Sequence, residues 1–181
     1  YISTAKINQH FMQGTFKEGL KIVPSIEEKM KDYSLFLDPH RTMVLNYKIA
    51  TLYFGSGDHS TSIDYLQKIM NEPGELRTDL QCYSRLVHLL AHYELGNTEL
   101  MEPLSRSVYR FMARMENLTV IEEEIFKFFR KSLTITNREI KPELEKFLQK
   151  VKHLEKNRFE TRAFAYLDII SWLESKVHGK T

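Results

Sequence analysis

His88 and His92 stand four residues apart in a stretch of helical periodicity, the spacing that lets two imidazoles on one helix face meet a single metal ion. Zinc takes at least three protein ligands, no acidic residue completes an H-E-x-x-H pattern here, and spacing nominates no third donor. A pair of buried, hydrogen-bonded histidines is the expectation, and a metalloprotein built on His88 and His92 is the alternative to it. Arg106, Arg110 and Arg114 form a row at four-residue spacing, with Lys127, Arg130 and Lys131 on the next segment. Guanidinium forks in a row can clamp a phosphate or an acidic peptide, which makes a ligand-sensing regulatory domain a second alternative. Against it, Glu102 lies one turn before Arg106, and Glu122, Glu123 and Glu124 lie close by, so a solvated, self-paired face accounts for the same residues. Cys82 is the single cysteine, which excludes an internal disulfide and a multi-cysteine metal site. Within an apolar helical stretch it reads as a small buried hydrophobe.

Other motifs dissolve on inspection. Gly179-Lys180-Thr181 matches the end of a phosphate-binding loop, but Glu174 stands where that motif needs its first glycine, and no strand precedes it. Gly55-x-Gly57 lacks a third glycine and is expected to be a turn. Asn117-Leu118-Thr119 satisfies the glycosylation sequon and is expected to be idle. No Ser-His-Asp or Cys-His arrangement sits in a motif that fixes its neighbours, and the carboxylates are scattered along helices among lysines, as on solvated faces. The chain is therefore expected not to be an enzyme and to carry neither cofactor nor metal.

The elements that must position these residues are helical throughout. Seven glycines and five prolines in 181 residues are too few for a sandwich or barrel. A hydrophobic share of 42% with 28% charged residues suits one globular domain with a sizeable core. The net charge of +2 gives no electrostatic case for nucleic acid or a membrane surface, and no apolar run reaches the roughly 18 to 20 residues of a membrane span. The chain begins at Tyr1, so it is expected to be a processed product or a fragment of something longer, with a cytoplasmic location. Periodicity predicts nine helices at about 2–12, 16–33, 39–55, 59–71, 76–95, 98–115, 119–133, 139–155 and 157–177. Polar breaks such as Gln13-Gly14-Thr15, Gly55-Ser56-Gly57-Asp58 and Gly96-Asn97 pair a glycine for the C-terminal position with a residue able to cap the next helix. Longer breaks lie at Asn71-Glu72-Pro73-Gly74, Met115-Glu116-Asn117 and Thr134–Arg138. Breaks this short force neighbouring helices into antiparallel hairpins.

Gly14, Gly57 and Gly96 recur at the hairpin turns with separations of 43 and 39 residues, periods that suit helix-pair solenoids. In the middle unit, Ile49-Ala50-x-x-Tyr53, then Gly57-Asp58, then Ser62-x-x-x-Leu66 resembles the tetratricopeptide repeat (TPR) signature. Small residues at Ala50 and Ser62 let two helices cross closely while Tyr53 and Leu66 fill the flanking grooves. The first unit keeps Gly14 and Gly19-x-x-x-Val23. The third keeps Gly96-Asn97 but has His92 for the aromatic and Met101 for the small residue. Asn46 replaces the family's tryptophan, Pro73 arrives one residue early, and the resemblance covers roughly residues 1–115.

The resemblance implies an all-α, right-handed α-solenoid of antiparallel helix hairpins forming a single domain over 1–181, with the helices of 119–181 as its cap. It further implies a non-catalytic scaffold whose concave groove takes a peptide or partner protein. Carried over by position, that groove is lined by Tyr47, Lys48, Thr51 and Phe54 in the second unit and by Tyr83, Val87, Leu90 and Glu94 in the third. Later helices packing into the concavity would cover it. The last predicted helix is apolar on two sides, and its second stripe, Ala165, Ile169 and Trp172, is a contact for a second copy or another domain, or else packs beneath the preceding helix.

Overall fold

Local signals set where helices begin in this chain, and two of them divide segments that periodicity alone joins. A computed structural model describes residues 2–73, 76–157 and 161–179, and every regular element among them is an α-helix. In order these are α1 (Ile2–Gln13), α2 (Phe16–Leu20), α3 (Val23–Asp32), α4 (Pro39–Ser56), α5 (His59–Met70), α6 (Thr78–Glu94), α7 (Thr98–Arg114), α8 (Val120–Ser132), α9 (Asn137–Leu154), α10 (Thr161–Tyr166) and α11 (Ile169–His178).

The predicted helix 16–33 is two helices. Pro24 has no N–H to donate and its ring obstructs the preceding turn. α2 therefore closes with short-range bonds from Lys21 N to Glu18 O (3.1 Å) and Ile22 N to Gly19 O (3.2 Å), and α3 restarts with the proline in its first turn. The predicted helix 157–177 also divides. Asp168 leaves the helical path and its carboxylate accepts from Ser171 N at 3.1 Å, capping α11. Gly55, read from the sequence as part of a turn, lies in the last turn of α4 instead, while Gly57 takes the left-handed position at φ 90°.

The chain divides into two compact units, Tyr1–Gly96 and Asn97–Thr181. In the first, α4 packs against α1, α2, α5 and α6, and α5 also packs against α6. The α4–α5 hairpin is antiparallel: Phe54 meets His59 edge-on at 5.1 Å, and one turn deeper Ser62 Oγ donates to Ala50 O at 2.8 Å. Ala50, Ser62 and Leu66 are wholly buried, so the two small residues meet where the helices cross. Tyr53 stacks on Tyr65 at 5.6 Å, and the Tyr65 hydroxyl donates to Glu27 of α3. Gly19 of α2 is the corresponding close approach in the first hairpin. A Cβ there would lie 2.9 Å from His10 Cβ of α1 and 3.0 Å from Leu52 Cδ2 of α4.

The second unit is built on α8, which packs against α7 and α9, while α9 packs against α11. Thr119 with Glu122 and Thr136 with Glu139 form reciprocal capping boxes at the starts of α8 and α9. The Thr136 box is why α9 begins before the predicted position. Phe128 stacks on Phe147 at 5.4 Å and meets Trp172 edge-on at 6.5 Å, so the core of this unit is aromatic. Two carboxylates that the sequence placed on solvated faces bridge helices. Glu124 takes Lys127 and Lys150, each at 2.7 Å, and Glu143 takes Lys131 and Lys146, each at 2.8 Å. Burial raises the Glu124 carboxyl's pKa, but the two lysine ammonium groups outweigh it, so its net shift is downward.

Candidate functional site

The histidine pair lies on α6 with ring centroids 4.5 Å apart and planes crossing at 68°. Burial, then the neighbouring His92 and Arg85, push the His88 imidazole down to about 4, so it is neutral across the physiological range. Burial also lowers His92. The expectation of a hydrogen-bonded pair holds only in part, because His88 Nε2 is buried with no hydrogen-bond partner among the described residues. No group of three His, Cys, Asp or Glu side chains able to hold a metal occurs among those residues. Cys82 is buried, and so is Asn117 of the sequon, with its amide nitrogen enclosed. Lys180 and Thr181 of the phosphate-loop match, like Gly74 of the predicted break, lie outside the described residues.

The eight predicted groove residues fall into two sets. Tyr47, Tyr83, Val87 and Leu90 are buried, and here they serve as packing residues rather than as an open surface. Apolar side chains at helical spacing mark a face that packs, but not what packs on it. Lys48, Thr51, Phe54 and Glu94 are partly exposed. Lys48 Nζ donates to Asn8 Oδ1 of α1, and burial lowers its pKa. Thr51 Oγ1 donates to Lys48 O at 2.9 Å, Phe54 lies against His59, and His59 is 3.9 Å from Glu94.

The C-terminal stripe is mostly interior. Ile169 and Trp172 are buried, Trp172 against Phe128, and only Ala165 is exposed. The break at Asp168 removes the continuous helix on which that stripe was drawn. On α7, Arg106, Arg110 and Arg114 are all exposed and line a concavity of about 460 Å³ with Pro103, Ser107 and Phe111. Arg106 pairs with Glu102, and Arg114 lies 5.3 Å over the Phe111 ring. Lys127 and Lys131, expected to extend this basic row, are neutralised by Glu124 and Glu143.

A surface that sequence reasoning missed lies in the first unit. A cleft of about 460 Å³ is walled by the start of α1, by α3 and by the first turns of α4. Ile26, Met30, Val44 and Leu45 make it apolar, Tyr33 lines it too, and Lys29, His40, Arg41 and Arg77 give it basic side chains and no carboxylate. Two of these cations are locally matched, Arg41 by Asp38 at 3.4 Å and Arg77 by Asp79 at 2.7 Å. Beside the cleft, the chain between α3 and α4 carries Tyr33, Leu35 and Phe36 with 59%, 92% and 82% of their surface exposed. Phe36 N and Leu37 N both donate to Tyr33 O at 2.9 Å, so this segment is a wound turn that holds its side chains outward. The available signal was the run Ser34-Leu35-Phe36-Leu37 lying outside any predicted helix, directly before the Asp38-Pro39 helix start.

No protein-family model, no curated protein and no solved structure matches the chain. Among the described residues no helix is long and apolar enough to cross a membrane.

Proposed function

We propose that this chain is a TPR-like, right-handed α-solenoid that serves as a non-catalytic scaffold, holding a peptide or partner protein on its first unit. The solenoid reading is supported by the pairing of helices there. α1, α4 and α6 contact one another in turn, α2 packs with α1 and α4, and α5 with α4 and α6. The buried Ser62–Ala50 crossing supplies the close approach such a stack needs.

The observation that carries the binding reading is the outward turn at Leu35 and Phe36 beside the basic-rimmed apolar cleft. Large apolar side chains held into water by a hydrogen-bonded turn contribute nothing to the fold's own core, and contiguous exposed apolar surface marks interaction sites. Aromatic and aliphatic anchors beside a pocket, with polar groups around them, are how partner surfaces gain affinity and register. The partly exposed Lys48, Thr51 and Phe54 of α4 belong to the same unit and extend the available surface.

The test is quantitative capture from a lysate with wild-type chain and with a Leu35→Ser/Phe36→Ser double variant, both verified as folded by circular dichroism. The scaffold reading expects a protein enriched by the wild type and lost by the variant. A protein held equally by both would remove the turn from the binding surface. Tyr47→Ala would be uninformative in the same assay, because Tyr47 is buried and its truncation acts on stability.

A further inference from the structure

Many lysines of the second unit are matched by glutamates, whereas Arg138, Lys141 and Lys156 of the α9 region and most of the arginine face of α7 make no ion pair among the described residues. Lys127, Lys131, Lys146, Lys150 and Lys152 on α8 and α9 each meet a glutamate. Arg110, Arg114 and Arg130 are exposed, and none makes an ion pair among the described residues. Arg110 and Arg114 continue the α7 row from Arg106, whose own partner Glu102 sits at the row's N-terminal end. Successive members of such a row are separated by about 6 Å along the helix axis. Phe111, with the Arg114 guanidinium over its ring, supplies an apolar surface between them, and the three arginines surround one shared concavity. Arg106 and its partner Glu102 also line a neighbouring hollow of about 210 Å³ with Tyr109, Arg130 and Leu133, so guanidinium groups reach both hollows while the one carboxylate stays at the N-terminal end of the row.

We propose that this arginine face of α7 is a second binding surface, and that its occupant is an acidic peptide segment, rich in Asp or Glu, of a protein partner. A row of singly charged sites complements a row of single charges. Carboxylates four apart on a helix repeat at about 6 Å, and those two apart on an extended chain at about 6.6 Å, both close to the arginine spacing. Planar guanidinium forks donate bidentately to carboxylates, and the Phe111 ring offers contact area for the carbon stems of glutamate. A lone phosphate would engage only part of such a row. This surface lies on a different unit from the Leu35–Phe36 turn and stands or falls independently of it.

The experiment is fluorescence anisotropy of a labelled dodecapeptide of glutamate and alanine titrated with the full chain, and of the same peptide with glutamine for glutamate. The acidic peptide is expected to bind and the glutamine version not to. Arg110→Gln/Arg114→Gln is expected to weaken binding by about tenfold or more, and rising salt to weaken the wild type by screening. Lys17→Gln/Lys21→Gln removes the same net charge from exposed positions of the first unit and is expected to leave binding unchanged. Leu35→Ser/Phe36→Ser is expected to leave it unchanged as well, which separates this proposal from the scaffold reading. Equal weakening by the two charge variants would overturn the proposal, because the effect would then be net charge and not this face. Equal binding of the glutamine peptide, or tighter binding of a labelled oligonucleotide of matched charge, would also overturn it. Displacement of the peptide by millimolar inorganic phosphate but not by sodium chloride of equal ionic strength would reassign the face to small anions.

Discussion

Replacing Gly55 by alanine should destabilise this protein, against the ordinary expectation for a glycine inside a helix. Within a helix, Gly→Ala normally stabilises by about 0.5–1 kcal/mol, because glycine loses more backbone freedom on folding. Here the added Cβ would lie 2.5 Å from Cδ1 and Cε1 of Phe16 and 2.7 Å from its Cγ. Carbon atoms pack at about 3.5–4.0 Å, so the ring must retreat by about 1 Å. One edge of the ring is involved, and Phe11 packs edge-on against the same ring at 5.9 Å. Overpacking of this kind costs about 1–3 kcal/mol, which set against the propensity gain leaves a net loss of up to about 2.5 kcal/mol. Urea unfolding followed by circular dichroism would read that loss as a lower midpoint at constant slope. The decisive comparison is the same substitution in a Phe16→Ala background. With the ring gone the clash is gone, and Gly55→Ala should there raise stability by about 0.5–1 kcal/mol. A gain in both backgrounds would show that Phe16 does not lie on Gly55 and would remove the α2–α4 packing described above.

Two further predictions concern buried polar groups. Ser62→Ala should cost about 0.5–1.5 kcal/mol through loss of the bond to Ala50 O, and Ser62→Leu more than that through overpacking at a crossing with no free volume, both measurable by urea unfolding. The His88 imidazole is held at about 4, below its usual 6.5, so the unfolded chain takes up a proton at higher pH than the folded one. That linkage costs nothing above pH 6.5 and erodes stability as pH falls from 6.5 towards 4, by about 1–2 kcal/mol after allowance for solvent screening. His88→Gln should flatten the wild-type decline between pH 6.5 and 4.5 in thermal melts, and an unchanged decline would refute the assignment.

What could be read from the residues followed the range over which each signal acts. Helix starts at Asp38-Pro39 and Thr119 and the stop at Gly57 are decided within three or four residues, and there the sequence and structure agree closely. The close meeting of Ala50 and Ser62 was also legible, because a tight hairpin fixes which residues of two adjacent helices oppose one another. Pro24 was a local signal too, overruled in the reading by an apolar period that continued past it. The pairing of Glu124 with Lys150, 26 residues away, depends on the register of α8 against α9, which no local pattern encodes.

The candidate surfaces show the same limit from the other side. Tyr47, Tyr83, Val87 and Leu90 follow the spacing of a groove, but a groove wall and an interior wall have one and the same periodicity; only the neighbours in space differ, and here the side chains are enclosed. Leu35 and Phe36 carry no periodicity at all, so pattern reading passed over them, and what makes them a candidate is exposure on a turn that backbone bonds hold in place. The arginine row was visible as spacing, yet spacing alone cannot separate a self-neutralised face from an unsatisfied one. That distinction came from the partners: glutamates reach Arg106, Lys127 and Lys131, while Arg110, Arg114 and Arg130 form no ion pair among the described residues. A charge pattern becomes a binding hypothesis only after the fold has taken the counterions it needs for itself, and on the C-terminal half of α7 the remainder is Arg110 and Arg114, positive and open to solvent.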